Sequence, residues 1–250
     1  MNKKLVSVIV PMYNAEKYVV ETLDNLINQT YSNIEIIVVN DCSTDNSYKV
    51  VEGYTKKDDR IKLFANETNL GVAESRNYAI SQAKGELIAF CDADDVWELE
   101  KLEKQINFME ENKCKICFSS IQFIDDDSKP LNKQFLAPEK VNYKEILKQN
   151  VITLSSAVVE KDLFDKYKFH HAELHEDFIL WIELLKNDVD YAYGLKECLV
   201  RYRFTLGSKS RNKFKSLKMT YKTYRLMGLN LFKSVYYLCH YVVRSLKKYS

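Results

Sequence analysis

Two hydrophobic patterns alternate along the first hundred positions. Short, mainly apolar runs, Val6–Val10, Ile34–Val39, Ile61–Phe64 and Leu87–Cys91, read as buried strands. Between them, Ala15–Gln29, Asp45–Lys56 and Val72–Ala83 repeat apolar residues every three or four positions and read as helices. That alternation predicts an α/β fold with a Rossmann-like, mainly parallel central sheet flanked by helices. Ser43, Thr44 and Asp45 can each cap the second helix. Polar residues gather after the strands, at Pro11–Asn14, Asn40–Ser43 and Asp92–Asp95. Open α/β sheets bind ligands beyond the carboxyl ends of their strands, so these three junctions are expected to face one crevice.

Beyond Asp95 the pattern is less regular. Glu98–Asn112 predicts a helix, Lys115–Ser120 a strand and Asp125–Pro138 a polar connection. Thr153–Val159 then reads as a strand, Glu176–Lys186 as a helix, and segments near Tyr191–Tyr193 and Leu199–Phe204 as strands. The expected division is a nucleotide-binding half over 1–100, an acceptor-binding half over 101–208, and a helical tail over 209–250.

Charge changes the picture of that tail. The chain of 250 residues carries a net +2, yet eleven of its 37 Lys and Arg and none of its 35 Asp and Glu lie in 209–250. The preceding part therefore has 26 basic against 35 acidic residues, a net of −9. Apolar and aromatic residues interleave with the basic ones, but Lys233, His240 and Arg244 interrupt each apolar stretch. A membrane-spanning helix needs about 20 mainly apolar residues, so the tail is expected to lie on an anionic bilayer rather than cross it. The start of the chain lacks a signal-peptide pattern. The six Cys have no framework spacing and suit a reducing compartment, so the expected location is cytoplasmic, peripheral on the inner membrane face.

Three carboxylates crowd into Asp92-Ala93-Asp94-Asp95 after an apolar run. Like charges at that spacing repel unless a cation compensates them, and Mg²⁺ or Mn²⁺ takes oxygen ligands and binds diphosphates. The plain alternative is an acidic turn that caps the next helix. Asp41 can accept from a base or ribose, or can serve as a strand-end turn. Arg76, on a helix entered through Asn69-Leu70-Gly71, can meet a diphosphate or can simply be solvated. His170, His171 and His175, with Glu173, Glu176 and Asp177, invite a zinc reading, but no H-E-x-x-H spacing supports it.

Taken in order, Ser7-Val8-Ile9-Val10-Pro11-Met12-Tyr13-Asn14, Asn40-Asp41-Cys42-Ser43-Thr44-Asp45, Asn69-Leu70-Gly71 with Arg76-Asn77, Asp92-Ala93-Asp94-Asp95 and His175-Glu176-Asp177 resemble family 2 glycosyltransferases of the GT-A fold. The likeness spans about residues 5–205. It implies a nucleotide-sugar donor, with Pro11, Tyr13 and Asn14 at the base, Asp41 binding the base, Arg76 near base or diphosphate, and Asp92 with Ala93 at the ribose. It also implies Asp94 as ligand of a divalent metal (Mn²⁺ or Mg²⁺) and Asp177 as general base of an inverting transfer to a glycan or glycolipid acceptor. Asp95, Trp97, Glu176 and Arg203 are candidates for the acceptor site or a mobile loop, the loop continuing through Ser208, Ser210 and Arg211. Trp97 reads equally as core.

Other classes fit less well. Phosphotransferases carry a D-x-D pattern after the first strand, not the fourth, and no G-x-G-x-x-G follows a strand as a dinucleotide oxidoreductase requires. A nucleotide- or membrane-binding module without catalysis remains the non-enzymatic alternative. Binding of nucleic acid by the basic, Tyr-containing tail would call for an accompanying fold motif, and no nucleic-acid partner is expected.

Overall fold

The computed structural model describes residues 3–171, 173–204 and 213–249. In its first half β1 (Val6–Met12), β2 (Ile34–Asn40), β3 (Ile61–Ala65) and β4 (Leu87–Phe90) alternate with α1 (Val19–Ile27), α2 (Ser47–Thr55) and α3 (Val72–Gln82). All seven elements expected from the pattern are present. Strand β1 pairs in parallel with β2 and β4, setting Ile9 opposite both Ile37 and Phe90. Every residue of β1 and β2 is buried, because helices cover both faces of the sheet. Val8 and Val10 join Leu23 and Val51 in one apolar cluster, while Ile9 and Phe90 join Ala79 and Trp181 in the other.

Helix α1 starts four residues later than the apolar period suggests. The N–H groups of Ala15 and Glu16 donate instead to Ser47 Oγ (2.8 Å) and Asp45 Oδ2 (3.1 Å). Asn14 extends this stitching, its Oδ1 accepting from Thr44 N at 2.8 Å. The first two strand-end loops are thereby one unit.

The second half contains β5 (Val96–Trp97), α4 (Lys101–Asn112), β6 (Ile116–Ile124), β7 (Pro130–Phe135), β8 (Lys140–Val141), α5 (Tyr143–Lys148), β9 (Val158–Glu160), α6 (Glu176–Asn187) and β10 (Ala192–Arg203). The sheet runs β3-β2-β1-β4-β9-β6-β10-β5, with β7 on β6 and β8 on β10. Short β9 is antiparallel to both β4 and β6, so parallel pairing is limited to β3-β2-β1-β4 and the β6-β10 pair. The strand expected at Thr153–Val159 is a 3₁₀ turn, Leu154–Ser156, followed by β9. The two strands expected around Tyr191–Phe204 are one strand, β10, with register shifts between Leu195 and Val200.

The tail forms α7 (Lys213–Leu226) and α8 (Leu231–Tyr249), folded back on each other through Gly228 at φ +79°. Glycine adopts this left-handed conformation without steric cost. The described part of the tail is packed into the protein. Tyr224 is fully buried against Phe178, and its hydroxyl donates to Leu147 O at 2.6 Å. Arg244 pairs with Glu145 at 3.3 Å. On the opposite side of α8, Leu231, Phe232, Val235, Tyr236, Val242 and Val243 are exposed, Phe232 to 85%. Among the described residues, no helix is long and apolar enough to cross a membrane.

Candidate active site

The carboxyl ends of β1 and β4, the 149–155 segment, the start of α6 and the tail hairpin enclose a cavity of about 690 Å³. Pro11, Tyr13, Asn14, Arg76, Asp92 and Ala93 line it, together with Asp94, Glu176, Asp177 and Arg203. Of the residues singled out in the sequence, Asp41, Asp95 and Trp97 stay off its wall.

Arg76 is the centre of the arrangement. It is only 4% exposed, and its guanidinium donates to Asp92 Oδ1 at 2.7 Å and to Glu176 Oε1 at 2.9 Å. Burial acts to lower its pKa, but the two carboxylates outweigh that and raise it, so the cation persists. Arg76, implied by the resemblance to lie near base or diphosphate, lines the cavity with both terminal nitrogens bonded to protein carboxylates. Glu176, a candidate for the acceptor site or a mobile loop, lines the cavity and is tied through Arg76 to Asp92.

The three clustered aspartates have three different settings. Asp92 N donates to Ser155 Oγ at 3.2 Å while its carboxylate meets Arg76. Asp95 is 1% exposed, and its Oδ1 accepts from Arg203 N at 2.9 Å. Burial, then the charges of Asp94 and Asp92, push its carboxyl well above the usual range. It is a structural member of the turn, not an acceptor contact. Asp94 is half-buried at the cavity, and burial followed by repulsion from Asp92 pushes its pKa up to about 6. Asp94 differs from Asp95 in lining the cavity and from Asp92 in standing outside the Arg76 ion pair.

Arg203, a candidate for the acceptor site or a mobile loop, lines the cavity and also braces the acidic turn from behind. Its side chain is fully buried, with Nε donating to Asp94 O (2.8 Å), one terminal nitrogen to Asp125 O (2.8 Å) and the other to Glu21 Oε2 (2.8 Å) and Ser128 Oγ (2.9 Å). The guanidinium also stacks 4.4 Å from the ring centre of Tyr18. Trp97 is core rather than acceptor wall: it is fully buried and its indole N–H donates to Ser155 O at 3.0 Å. The loop expected at Ser208, Ser210 and Arg211 lies outside the described residues.

Asp41, expected at the base, is 4% exposed. Its carboxylate accepts from Leu70 N, Gly71 N and Asn66 Nδ2, each at 2.8 Å, and so fixes the turn into α3 that aims Arg76. Gly71 there has φ +86°, a conformation that glycine alone adopts freely.

Asp177 lies in the first turn of α6, where unpaired helical N–H groups favour a negative charge. Its Oδ1 accepts from Phe178 N at 2.7 Å and its Oδ2 from Asn150 Nδ2 at 2.9 Å. Asn150, Gln149, Ser155, Thr220 and Tyr241 also line the cavity, and no motif or periodicity in the sequence marks them. The histidines gather no metal set: His171 pairs with Glu173 and His175 with Ser216. No group of three or more His, Cys, Asp or Glu side chains among the described residues is arranged to hold a metal ion.

Comparison with known proteins adds identity to this geometry. Residues 7–167 match the family described as Glycosyl transferase family 2. The chain is 36% identical over 247 residues to the putative teichuronic acid biosynthesis glycosyltransferase TuaG of Bacillus subtilis (strain 168), with 98% of each chain aligned. It is 36% identical over 251 residues to the UDP-Glc:alpha-D-GlcNAc-diphosphoundecaprenol beta-1,3-glucosyltransferase WfgD of Escherichia coli, covering 100% of this chain and 97% of that one. The crystal structure of S. aureus TarS 1-349 in complex with UDP-GlcNAc has a TM-score of 0.75 at 23% identity, over 96% of this chain and 72% of that chain, a likeness of fold. The chain belongs to glycosyl transferase family 2 and is an enzyme of the transferase class with a GT-A fold.

Proposed function

We propose that this chain transfers the sugar of a UDP-sugar, with inversion, onto a lipid-linked saccharide during assembly of a bacterial surface glycan. The names of the two relatives support the donor, the acceptor class and the glycan context. The observation that carries the reading is that Asp94, after β4, and Asp177, at the start of α6, line one cavity whose two motifs are joined by Arg76.

Pro11, Tyr13 and Asn14 frame the base end, and Asp92 with Ala93 lie where the ribose would sit. Asp94 suits a divalent cation, because its crowded, half-buried carboxylate is the kind of charge a cation relieves. Mn²⁺ or Mg²⁺ held there with the donor's own diphosphate oxygens would offset the charge that develops on the leaving group. Asp177 is oriented by Phe178 N and Asn150 Nδ2 and retains lone pairs for an acceptor hydroxyl. As it takes the hydroxyl proton, the acceptor oxygen bonds to the anomeric carbon and the nucleoside diphosphate departs with the electrons of the broken bond.

The exposed apolar face of α8 and the surplus of basic residues in 209–250 support a peripheral seat on an anionic, cytoplasmic membrane surface. The inner side of α8 carries Tyr241 to the cavity, so such a seat would bring a lipid-linked acceptor within about one helix diameter, ~10 Å, of the site.

Three outcomes test this reading. Asp177→Asn keeps the shape but removes the proton acceptor, so transfer with saturating acceptor should fall on the order of 10²–10⁴-fold while UDP binding is retained; near-normal turnover would reassign the base. Transfer should cease in excess EDTA and return with Mn²⁺, and Asp94→Asn should lower it by roughly 10²-fold or more. Full activity in chelator would remove the metal from the mechanism. The chain should co-sediment with phosphatidylglycerol vesicles at low salt, and the double change Phe232→Glu, Val243→Glu should release it; equal partitioning of both proteins would refute the membrane seat.

A further inference from the structure

His175 directly precedes the Glu176-Asp177 pair, yet its side chain makes no cap to α6. It reaches to the tail instead. Its Nε2 lies 3.1 Å from Ser216 Oγ on α7, and that oxygen lies 3.0 Å from the Tyr241 hydroxyl on α8. Ser216 is buried, His175 and Tyr241 are half-buried, and these two line the same cavity as Asp177. The His175 carbonyl also accepts from Ile179 N at 3.1 Å, so the residue belongs to the first turn of α6 through its backbone and to the hairpin through its ring.

The chain of polar atoms is self-consistent in either direction. A neutral imidazole accepts at Nε2 a hydrogen bond from the Ser216 hydroxyl, and Ser216 in turn accepts from Tyr241; with the other tautomer each bond reverses. Each link leaves no donor facing a donor. Such a network fixes geometry rather than contributing reacting atoms. The group most sensitive to that geometry is Asp177, two residues along, because a proton acceptor displaced by about 1 Å can lose 10²-fold in rate.

We propose that His175 is a positioning residue. Through Ser216 and Tyr241 it fastens the first turn of α6, and with it Asp177, to the α7-α8 hairpin, so the docked hairpin sets turnover without contributing to donor binding. The inference rests on the reading of Asp177 as the base. It also gives the tail a task in the reaction that is independent of any membrane.

The test uses the full chain with donor and saturating acceptor, measuring kcat, donor KM and Tm together. Ser216→Ala removes the middle link and should lower kcat on the order of 10-fold, with donor KM changed by no more than about twofold and Tm nearly retained. Adding Tyr241→Phe to it should cost little more, since the two side chains act through one chain of bonds. His175→Gln keeps a polar group near the Nε2 position and should retain most of kcat, whereas His175→Leu should not. Wild-type kcat in Ser216→Ala overturns the proposal. So does a loss of kcat that is matched by weaker donor binding and a lower Tm, which is the signature of a merely structural network. An active Asp177→Asn chain defeats the base reading instead; wild-type turnover in Ser216→Ala, where Asp177→Asn is inactive, defeats this proposal alone.

Discussion

A buried guanidinium between two carboxylates holds the site together. Arg76 takes Asp92 from the end of β4 on one side and Glu176 from the start of α6 on the other. Removing one partner from a buried ion pair costs about 3–5 kcal/mol, because the remaining charges lose their compensation in a poorly solvated place. The Arg76 bridge therefore ties the end of β4 to the start of α6 across the cavity. Asp41 sits one step further back, binding the turn from which α3, and hence Arg76, departs.

Arg203 plays the matching part behind the acidic turn. Its donors meet the Asp94 carbonyl, the Asp125 carbonyl, Glu21 and Ser128, while its backbone N–H holds Asp95. Two of the three clustered carboxylates are thus engaged by arginines, Asp92 by a side chain and Asp95 by a main-chain amide. Asp94 keeps its charge toward the cavity, and burial beside Asp92 raises its pKa to about 6. An acidic cluster that looks uniform in sequence is divided by packing into a pinned carboxylate, a buried one and one facing ligand space.

The sequence made the first half of the fold legible because β1, β2 and β4 are buried on both faces and carry mainly apolar runs, while partly exposed β3 still keeps Ile61, Leu63 and Phe64 apolar. Its strand-end polar junctions set Pro11, Tyr13, Asp92 and Asp94 at one sheet edge, and the family resemblance supplied their roles and singled out Asp177. The sequence could not say which way each side chain turns. Asp94 and Asp95 are adjacent and chemically identical, yet one faces the cavity and the other is sealed under Arg203. Strand β9 is too short to declare itself against the 3₁₀ turn before it, and the interruption in β10 reads as two strands because its register shifts there. In α8 apolar residues occupy two sides of one helix, one packed inward with Tyr237 and Leu238 and one outward with Phe232 and Val243. Composition records their number and not their division, which is why the tail looked separable from the domain. Asn150, Ser155 and Ser216 had no local signal at all, being defined only by what they face after folding.

Asp94 and Asp177 are assigned different tasks in a single displacement, and that assignment fixes the stereochemistry of the product. Transfer from an α-linked UDP-sugar to a lipid-linked saccharide acceptor, with the new anomeric proton followed by NMR during the reaction, measures it directly. The account predicts a β-linked product from the first turnover; an α-linked product would contradict it, because retention requires a chemistry that one base on the acceptor side does not provide.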